Sequence, residues 1–429
     1  MAWRPAPDAA PDRDLEDPVI TGRDIVCASF GGWGDLVETP HQLMTRLARH
    51  NRVLFVEQPV SPLSFASRML SGSKIRAGLT GWRRGARAVA PNIWAATPPP
   101  ILPRRTNKIA SIANAALLSR WLAGQARALG FRDVIYWNFQ PWIPGIARAL
   151  RPALSVYYCV DDFGSAPYWW NPGAGVRARE AECCREADIV ICTGRQLVEK
   201  KRPFNTNVTF MPEGADVEAF AAAAADPAPA PDDIARLPGT IIGYTGAINW
   251  RLDSGLILHM AEREPAWSFA LIGPVWGDLP EAERLRAAPN VHFLGPKPAA
   301  ALPAYCKAMD VCLIPYVLNE YTHHIFPLKL YEYMAAGKPI VATDMAEMRP
   351  YEGERLAIGR TPEAFHAAVR DAIERDAPDL AAARQRAARD ESWDTRVEQL
   401  SDLLAPLLRP AAPPSAADPP GHGVEAESA

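Results

Sequence analysis

Residues 319–343, NEYTHHIFPLKLYEYMAAGKPIVAT, constrain the fold of this chain more than any other stretch. The segment reads as a polar loop, a helix, a tight turn and a short apolar strand. Pro327 suits the first turn of a helix, where its missing N–H has no intrahelical partner to lose. Leu328 to Ala336 are good helix formers, and Gly337 stands where a left-handed residue closes a helix. Pro339 forbids continuation, so Ile340-Val341-Ala342-Thr343 reads as a buried strand. Lys329 and Glu332 then share one face near the helix start. Such an end attracts phosphate, so a cation for phosphate beside a carboxylate for ribose would make a nucleotide site. The same spacing also suits a plain exposed ion pair worth a few tenths of a kcal/mol. Spacing alone leaves both readings open.

The alternation of strand and helix recurs along the chain. DIVCASF from Asp24 reads as a strand, GGWGD as a turn-rich loop, residues 39–49 as an amphipathic helix and RVLFVE as the next strand. Strand, glycine loop, helix, strand is the unit of a parallel sheet. Later strands are predicted at 134–137, 155–159, 189–193 and 208–211, completing a first doubly wound α/β domain over 21–220. AAAAADPAPAPDD, from Ala221, breaks the composition and marks a linker over 221–238. A second series follows at 240–246, 267–273, 290–295, 310–315 and 339–343, and its domain spans 239–390. The first four of these strands run into glycine or proline, as expected where loops at the carboxyl ends of strands build a ligand crevice. Residues 361–389 read as helical, and 391–409 carry a closing amphipathic helix. The 1–20 and 410–429 ends are rich in Pro, Ala and acids without periodicity and read as disordered tails.

At 429 residues the chain exceeds one core, which agrees with two domains. Seven cysteines form no CxxC pair and sit mostly among apolar neighbours, which points to reduced thiols in the cytoplasm and to no metal site. The polar start is no signal peptide, and no run of about 18 apolar residues spans a membrane. Net charge is −3 and says little about partners. Its distribution says more. From Gln58 to Arg132 there is no Asp or Glu, whereas twelve Lys or Arg occur there. Aromatic and aliphatic residues interleave with them, which suits an anionic lipid surface. The part expected to face lipid is 68–87, with Arg68, Lys74, Arg76, Trp82, Arg83, Arg84 and Arg87. A solvated basic face is the plainer reading, but the absence of acids over so long a span speaks against it. No nucleic-acid-binding motif is present, so nucleic acid is not expected as a partner.

Two further constellations sit at strand ends. Gly243-Tyr-Thr-Gly246 follows the first strand of the second domain, with Arg251 shortly after. Glycine there lets backbone approach a diphosphate that arginine neutralises, although a tight turn needs glycine on steric grounds alone. Asp161 and Asp162 close the fourth strand of the first domain. A carboxylate there can take the proton of an attacking hydroxyl, or simply form an Asx turn.

PLKLYEYMAAGKPIVAT resembles the donor-site signature of GT-B glycosyltransferases, in particular the large retaining family of bacterial surface-polysaccharide enzymes known as glycosyl transferases group 1. EADIVICTG and PEGADVEAF are weaker echoes of it. The resemblance implies two Rossmann-like domains facing a cleft, with the last helix crossing back onto the first. In that family two glutamates spaced as residues 324 and 332 flank this helix. The second binds the nucleotide ribose and falls on Glu332; the first faces the donor sugar, and here His324 replaces it. The resemblance further implies donor contacts by Gly246, Arg251, Lys329, Leu330 and Glu332, and a nucleobase loop at Gly295 and Lys297. It makes Asp161, Asp162 and His324 the catalytic candidates. Two fixed cations would stabilise a departing diphosphate, so neither metal nor cofactor is expected. The expected function is transfer of a sugar from a nucleotide donor, UDP-sugar before GDP-sugar, to a lipid-linked or glycan acceptor in cell-surface polysaccharide synthesis. The place expected is the cytoplasmic membrane face. A sugar-nucleotide epimerase and an inactive sugar-nucleotide-binding subunit are the alternatives.

Overall fold

The computed structural model describes residues 20–34, 38–59, 81–102, 108–165 and 173–408. The two tails, save Ile20, and Arg68, Lys74 and Arg76 of the basic stretch lie outside the described residues. In chain order the strands are β1 Asp24–Ala28, β2 Arg52–Val56, β3 Arg87–Ala90, β4 Ile93–Ala96, β5 Ile135–Asn138, β6 Leu154–Cys159, β7 Ile189–Cys192 and β8 Val208–Phe210. They form one sheet in the order β3-β4-β2-β1-β5-β6-β7-β8. All its pairs are parallel except the β3–β4 hairpin. A second sheet follows from β9 Thr240–Thr245, β10 Trp267–Ile272, β11 Val291–Gly295, β12 Val311–Ile314, β13 Ile340–Thr343 and β14 Ala357–Gly359. Its order is β11-β10-β9-β12-β13-β14, parallel throughout. Two doubly wound sheets are the architecture expected.

Side chains alternate across the first sheet as its pleat demands. Ile25 and Cys27 join one core layer with Leu43, Met44 and Leu47. Val26 and Ala28 join the opposite layer with Leu118 and Leu122 of the helix Lys108–Ala128. Both faces are therefore buried, which is why these strands read as continuous apolar runs.

The closing helix, Trp393–Leu404, returns to the first domain. Trp393, Val397, Leu400 and Leu404 complete the core layer under the helix Thr39–Leu47. Asp394 receives Arg46 at 3.0 Å and Arg49 at 2.5 Å. The return is tight at Gly214, where a Cβ would stand 2.7 Å from the Trp393 backbone.

Three local expectations are corrected. β3, β4 and β14 were not anticipated, because they are strands of three or four residues beside Pro91-Asn92 or ending at Gly359. The helical run 361–389 is two helices, Pro362–Arg375 and Pro378–Ala388, divided where Pro378 opens the second. The composition break is partly helical as well. Helix Val217–Ala225 buries Val217 and Phe220 in the second core, and Ile234 joins them. The chain thus enters the second core ahead of the alanine run, whose small side chains suit a helix as readily as a linker.

Among the described residues, no helix is long and apolar enough to cross a membrane. All seven cysteines are buried and free.

Candidate active site

The second sheet presents three glycines side by side at the carboxyl ends of β9, β10 and β11. The Gly246 N–H donates to the Ile272 carbonyl at 2.8 Å, and the Gly273 N–H to the Gly295 carbonyl at 3.0 Å. All three have positive φ: 130° at Gly246, 147° at Gly273 and 72° at Gly295. A Cβ on Gly273 would stand 1.9 Å from the Gly246 carbonyl oxygen, so only glycine permits this ledge.

Over the ledge stands Lys329, first residue of the helix Lys329–Ala335. Its Nζ lies 3.4 Å from where a Gly246 Cβ would be. Nζ donates to the Tyr316 hydroxyl at 2.7 Å and sits 5.2 Å above the Tyr244 ring. The Arg251 guanidinium lies 5.9 Å from the Tyr316 ring. Tyr316 is buried, which alone would raise its pKa, but Lys329 and then Arg251 outweigh burial and bring it down to about 8. Among the described residues neither cation forms a salt bridge to a carboxylate, so the pair can receive an external anion. The helix fixes Lys329 by closing sharply. Gly337, at φ 72°, takes the left-handed position; its N–H bonds the Met334 carbonyl and the Lys338 N–H bonds that of Tyr333. That is a Schellman closure, as the sequence predicted.

Carboxyl groups gather opposite these cations. Asp161, after β6, has its pKa raised to about 6 by burial, against the opposing pull of Arg251 and a hydrogen bond from Tyr321. Glu213 is raised further, to about 7, again by burial first, then by the nearby charges of Asp161, Glu38 and Glu332. The Thr39 hydroxyl donates to Glu213. Glu332 is also raised, by burial, with Lys329 opposing and Asp216 adding. Asp161, Glu213 and Glu332 remain reachable by water although protein surrounds them, as befits groups lining a crevice. A carboxyl poised between about 6 and 7 can take a proton near neutrality.

Asp162 belongs to a different construction. It is 2% exposed, receives Lys200 at 2.6 Å and Ser165 at 2.5 Å, and lies 3.3 Å from His324 Nδ1. Burial opposes its charge, but Lys200 and Ser165 hold its pKa below the usual range. Lys200 and Ser165 both reach across to Glu320 at 2.9 Å. Asp162 and His324 thus clasp the two domains together. Asp162 has its carboxylate taken up by this clasp, whereas the neighbouring Asp161 carboxyl feels Arg251 and Tyr321 instead. The His324 backbone packs on the first domain, where a Cβ on Gly194 would meet its carbonyl oxygen at 2.8 Å. Burial lowers the His324 pKa, against a raising contact with the Glu320 backbone, so the imidazole is neutral at pH 7.

The other expected residues divide. Gly246, Arg251 and Lys329 converge, and Glu332 borders them. Leu330 does not: its side chain is fully buried in the second core, one position round the helix from the crevice. Gly295 belongs to the ledge, whereas the Lys297 ammonium is bound to Asp233 at 2.6 Å and steadies its loop. Of the basic stretch, Arg83 and Arg84 are exposed and Trp82 is half-buried. Arg87 is exposed as well, and it pairs with Glu57 at 2.8 Å. Tyr316, Glu213 and Lys200 escaped the sequence reading, because a tyrosine after a strand, an acid in a loop and a helical lysine have no pattern of their own. Only the fold brings them to the crevice.

The second domain carries the decisive comparison: residues 241–375 match the family glycosyl transferases group 1. The second domain is a glycosyl transferases group 1 domain, in a chain of GT-B fold. It is 28% identical over 298 residues to TuaH of Bacillus subtilis strain 168, described as a teichuronic acid biosynthesis glycosyltransferase; the match covers 64% of this chain and 72% of TuaH. Solved structures share the fold of this glycosyltransferase at low identity. Sucrose-phosphate synthase of Thermosynechococcus elongatus superposes with a TM-score of 0.66 at 16% identity, covering 90% of this chain and 99% of that one. HepE of Anabaena, in complex with UDP and glucose, gives 0.60 at 16% identity, covering 89% and 99%. The E. coli trehalose-6-phosphate protein bound with UDP-2-fluoro glucose gives 0.63 at 12% identity, covering 89% and 99%.

Proposed function

We propose that this glycosyltransferase moves a hexosyl group from a UDP-sugar to a lipid-linked or glycan acceptor during synthesis of a cell-surface polysaccharide. The observation that carries the reading is the pair Lys329 and Arg251, gathered by Tyr316 over the ledge Gly246-Gly273-Gly295 and, among the described residues, salt-bridged to no carboxylate. A sugar diphosphate laid on that ledge places its phosphates against both cations. As the bond from the anomeric carbon to the diphosphate oxygen breaks, negative charge grows on the diphosphate, and fixed cations stabilise it most at that moment. On this reading the diphosphate needs no divalent ion. Glu332 holds the ribose hydroxyls. Asp161 stands near the acceptor side and can receive the proton of the attacking hydroxyl. The anomeric outcome we assign is retention, on the resemblance to the retaining family.

UDP as the nucleotide is supported by the UDP found with HepE and the UDP-2-fluoro glucose found with the E. coli protein. A surface-polysaccharide acceptor is supported by TuaH. The site of action we assign is the inner face of the cytoplasmic membrane, where a lipid-linked acceptor is confined. The test is UDP release on mixing a UDP-sugar with membrane-extracted acceptor, in chelator. Release that needs added magnesium overturns the metal-free step, and turnover with a GDP-sugar in place of the UDP-sugar, read as GDP release, corrects the donor. The coupling constant of the product's anomeric proton, compared with that of the donor, decides between retention and inversion.

A further inference from the structure

The helix Lys108–Ala128 is apolar on two opposite sides. Its inner side, with Leu118, Leu122 and Ala126, packs on the first sheet. Its outer side carries Ile109 at 78%, Ile112 at 69% and Leu117 at 48% exposure, and Leu102 at 55% precedes them. At helical spacing Ile109, Ile112, Ala113 and Ala116 share one face, and Arg120 and Arg127 continue it. A surface helix in water turns polar residues outward, and this one does not over its first half. Four of the eight large apolar side chains exposed among the described residues fall between Leu102 and Leu117, so this is a patch and not scatter. A groove of about 420 Å³ runs beside it, lined by Ile112, Ala115 and Arg120 on the helix and by Pro144, Arg148 and the single acid Glu182 opposite.

Charge selects the occupant. The patch lies inside the span 58–132, which holds twelve Lys or Arg and no acid. A second copy docking through the same patch would set this positive span against itself. An anionic bilayer offers negative headgroups to the arginines and an apolar layer to the isoleucines. We infer that the outer face of the helix Lys108–Ala128, with Leu102, docks on an anionic phospholipid bilayer. This adds a second contact to the one expected at 68–87, of which residues 68–80 lie outside the described residues. The inference rests on the proposed membrane-confined acceptor for its purpose only, since patch and charge stand without it.

The test is co-sedimentation of the full chain with vesicles of phosphatidylcholine alone and of phosphatidylcholine with phosphatidylglycerol, without donor or acceptor. The expected result is binding to the anionic vesicles alone, weakened by salt because the attraction is screened over about 10 Å at 0.1 M. The triple variant Ile109→Ser, Ile112→Ser, Leu117→Ser should lose affinity about a hundredfold or more. Arg120→Gln with Arg127→Gln should lose about tenfold or more. Thermal unfolding of both should match wild type, because the changed side chains are exposed. Unchanged binding by the triple variant overturns the inference, as does equal binding to neutral vesicles or binding to neither. So does a wild-type dimer that the triple variant makes monomeric. The vesicles carry no substrate, so failure of the glycosyl-transfer reading would leave this result untouched. UDP release with a soluble acceptor tests that reading separately.

Discussion

At the residue scale the crevice sets two cations against three carboxyls, and each side makes a prediction. Lys329→Met should lower turnover about 100- to 1,000-fold, as removal of one preorganised donor does elsewhere. Binding of uridine, which has no phosphate, should hardly change; an equal loss in uridine affinity would place Lys329 at the base or ribose instead. Glu332→Gln exchanges a charged acceptor for a neutral one and should weaken UDP about tenfold with the fold intact, read by calorimetry. Wild-type affinity in that variant would remove Glu332 from the ribose. Glu213 makes a prediction in pH. Its pKa rises from 4.5 to about 7 in the folded protein, so the folded state holds a proton that the unfolded state releases. Its contribution to stability is full below pH 4.5 and is lost as pH rises through about 7. Glu213→Gln removes that loss, so the variant should gain on wild type in unfolding temperature between pH 5 and 8. Parallel curves over that range would show that the carboxyl is not held protonated.

At the element scale, what makes the site is backbone. The ledge depends on Gly273, whose φ is 147° and whose Cβ would meet the Gly246 carbonyl oxygen at 1.9 Å. Gly273→Ala must push β10 from β9, costing about 2 kcal/mol or more, and should abolish donor binding with it. An alanine variant with normal UDP affinity would mean that the diphosphate lies elsewhere. Elements were also the most legible level of the sequence. β9, β10 and β12 are apolar runs ended by glycine or proline, β13 is one opened by Pro339, and the helix before β13 announces its stop at Gly337. β3, β4 and β14 are too short to carry a period. The site was legible only in part, for a physical reason. Gly246, Lys329 and Glu332 sit at turns and helix starts, which the local sequence marks. Tyr316 and Glu213 act through neighbours that lie remote in the chain, so nothing in their own segments distinguishes them. Leu330 shows the converse: its place in a motif reflects packing, and its side chain faces the core.

At the scale of the whole molecule, two of the joints that hold the crevice closed differ in character. The helix Trp393–Leu404 is a permanent joint, because Trp393, Leu400 and Leu404 are buried in the first domain's core. The clasp at the crevice mouth is not. There Lys200 bridges Asp162, 2% exposed, and Glu320, whose side chain is 64% exposed. An ion pair with one partner in water is weak and screened by salt, whereas a buried carboxylate deprived of its cation is costly. The two halves of the clasp should therefore separate by mutation. Glu320→Gln breaks the ion pair that Lys200 makes across the domains and leaves the Asp162–His324 contact in place, so it should alter stability by less than about 1 kcal/mol while loosening the crevice, seen as a larger radius of gyration in solution scattering. Lys200→Met strands Asp162 and should cost about 1–3 kcal/mol as well as opening it. Raising salt should open wild type towards the Glu320→Gln dimension and leave that variant unmoved. Acid should act likewise. Lys200 and then Ser165 hold the Glu320 pKa below 4.5, so its share of the clasp is present above that pH and is lost as pH falls through the lowered value. Equal radii for wild type and both variants, at every salt concentration, would show that the core joint alone sets the angle between the domains.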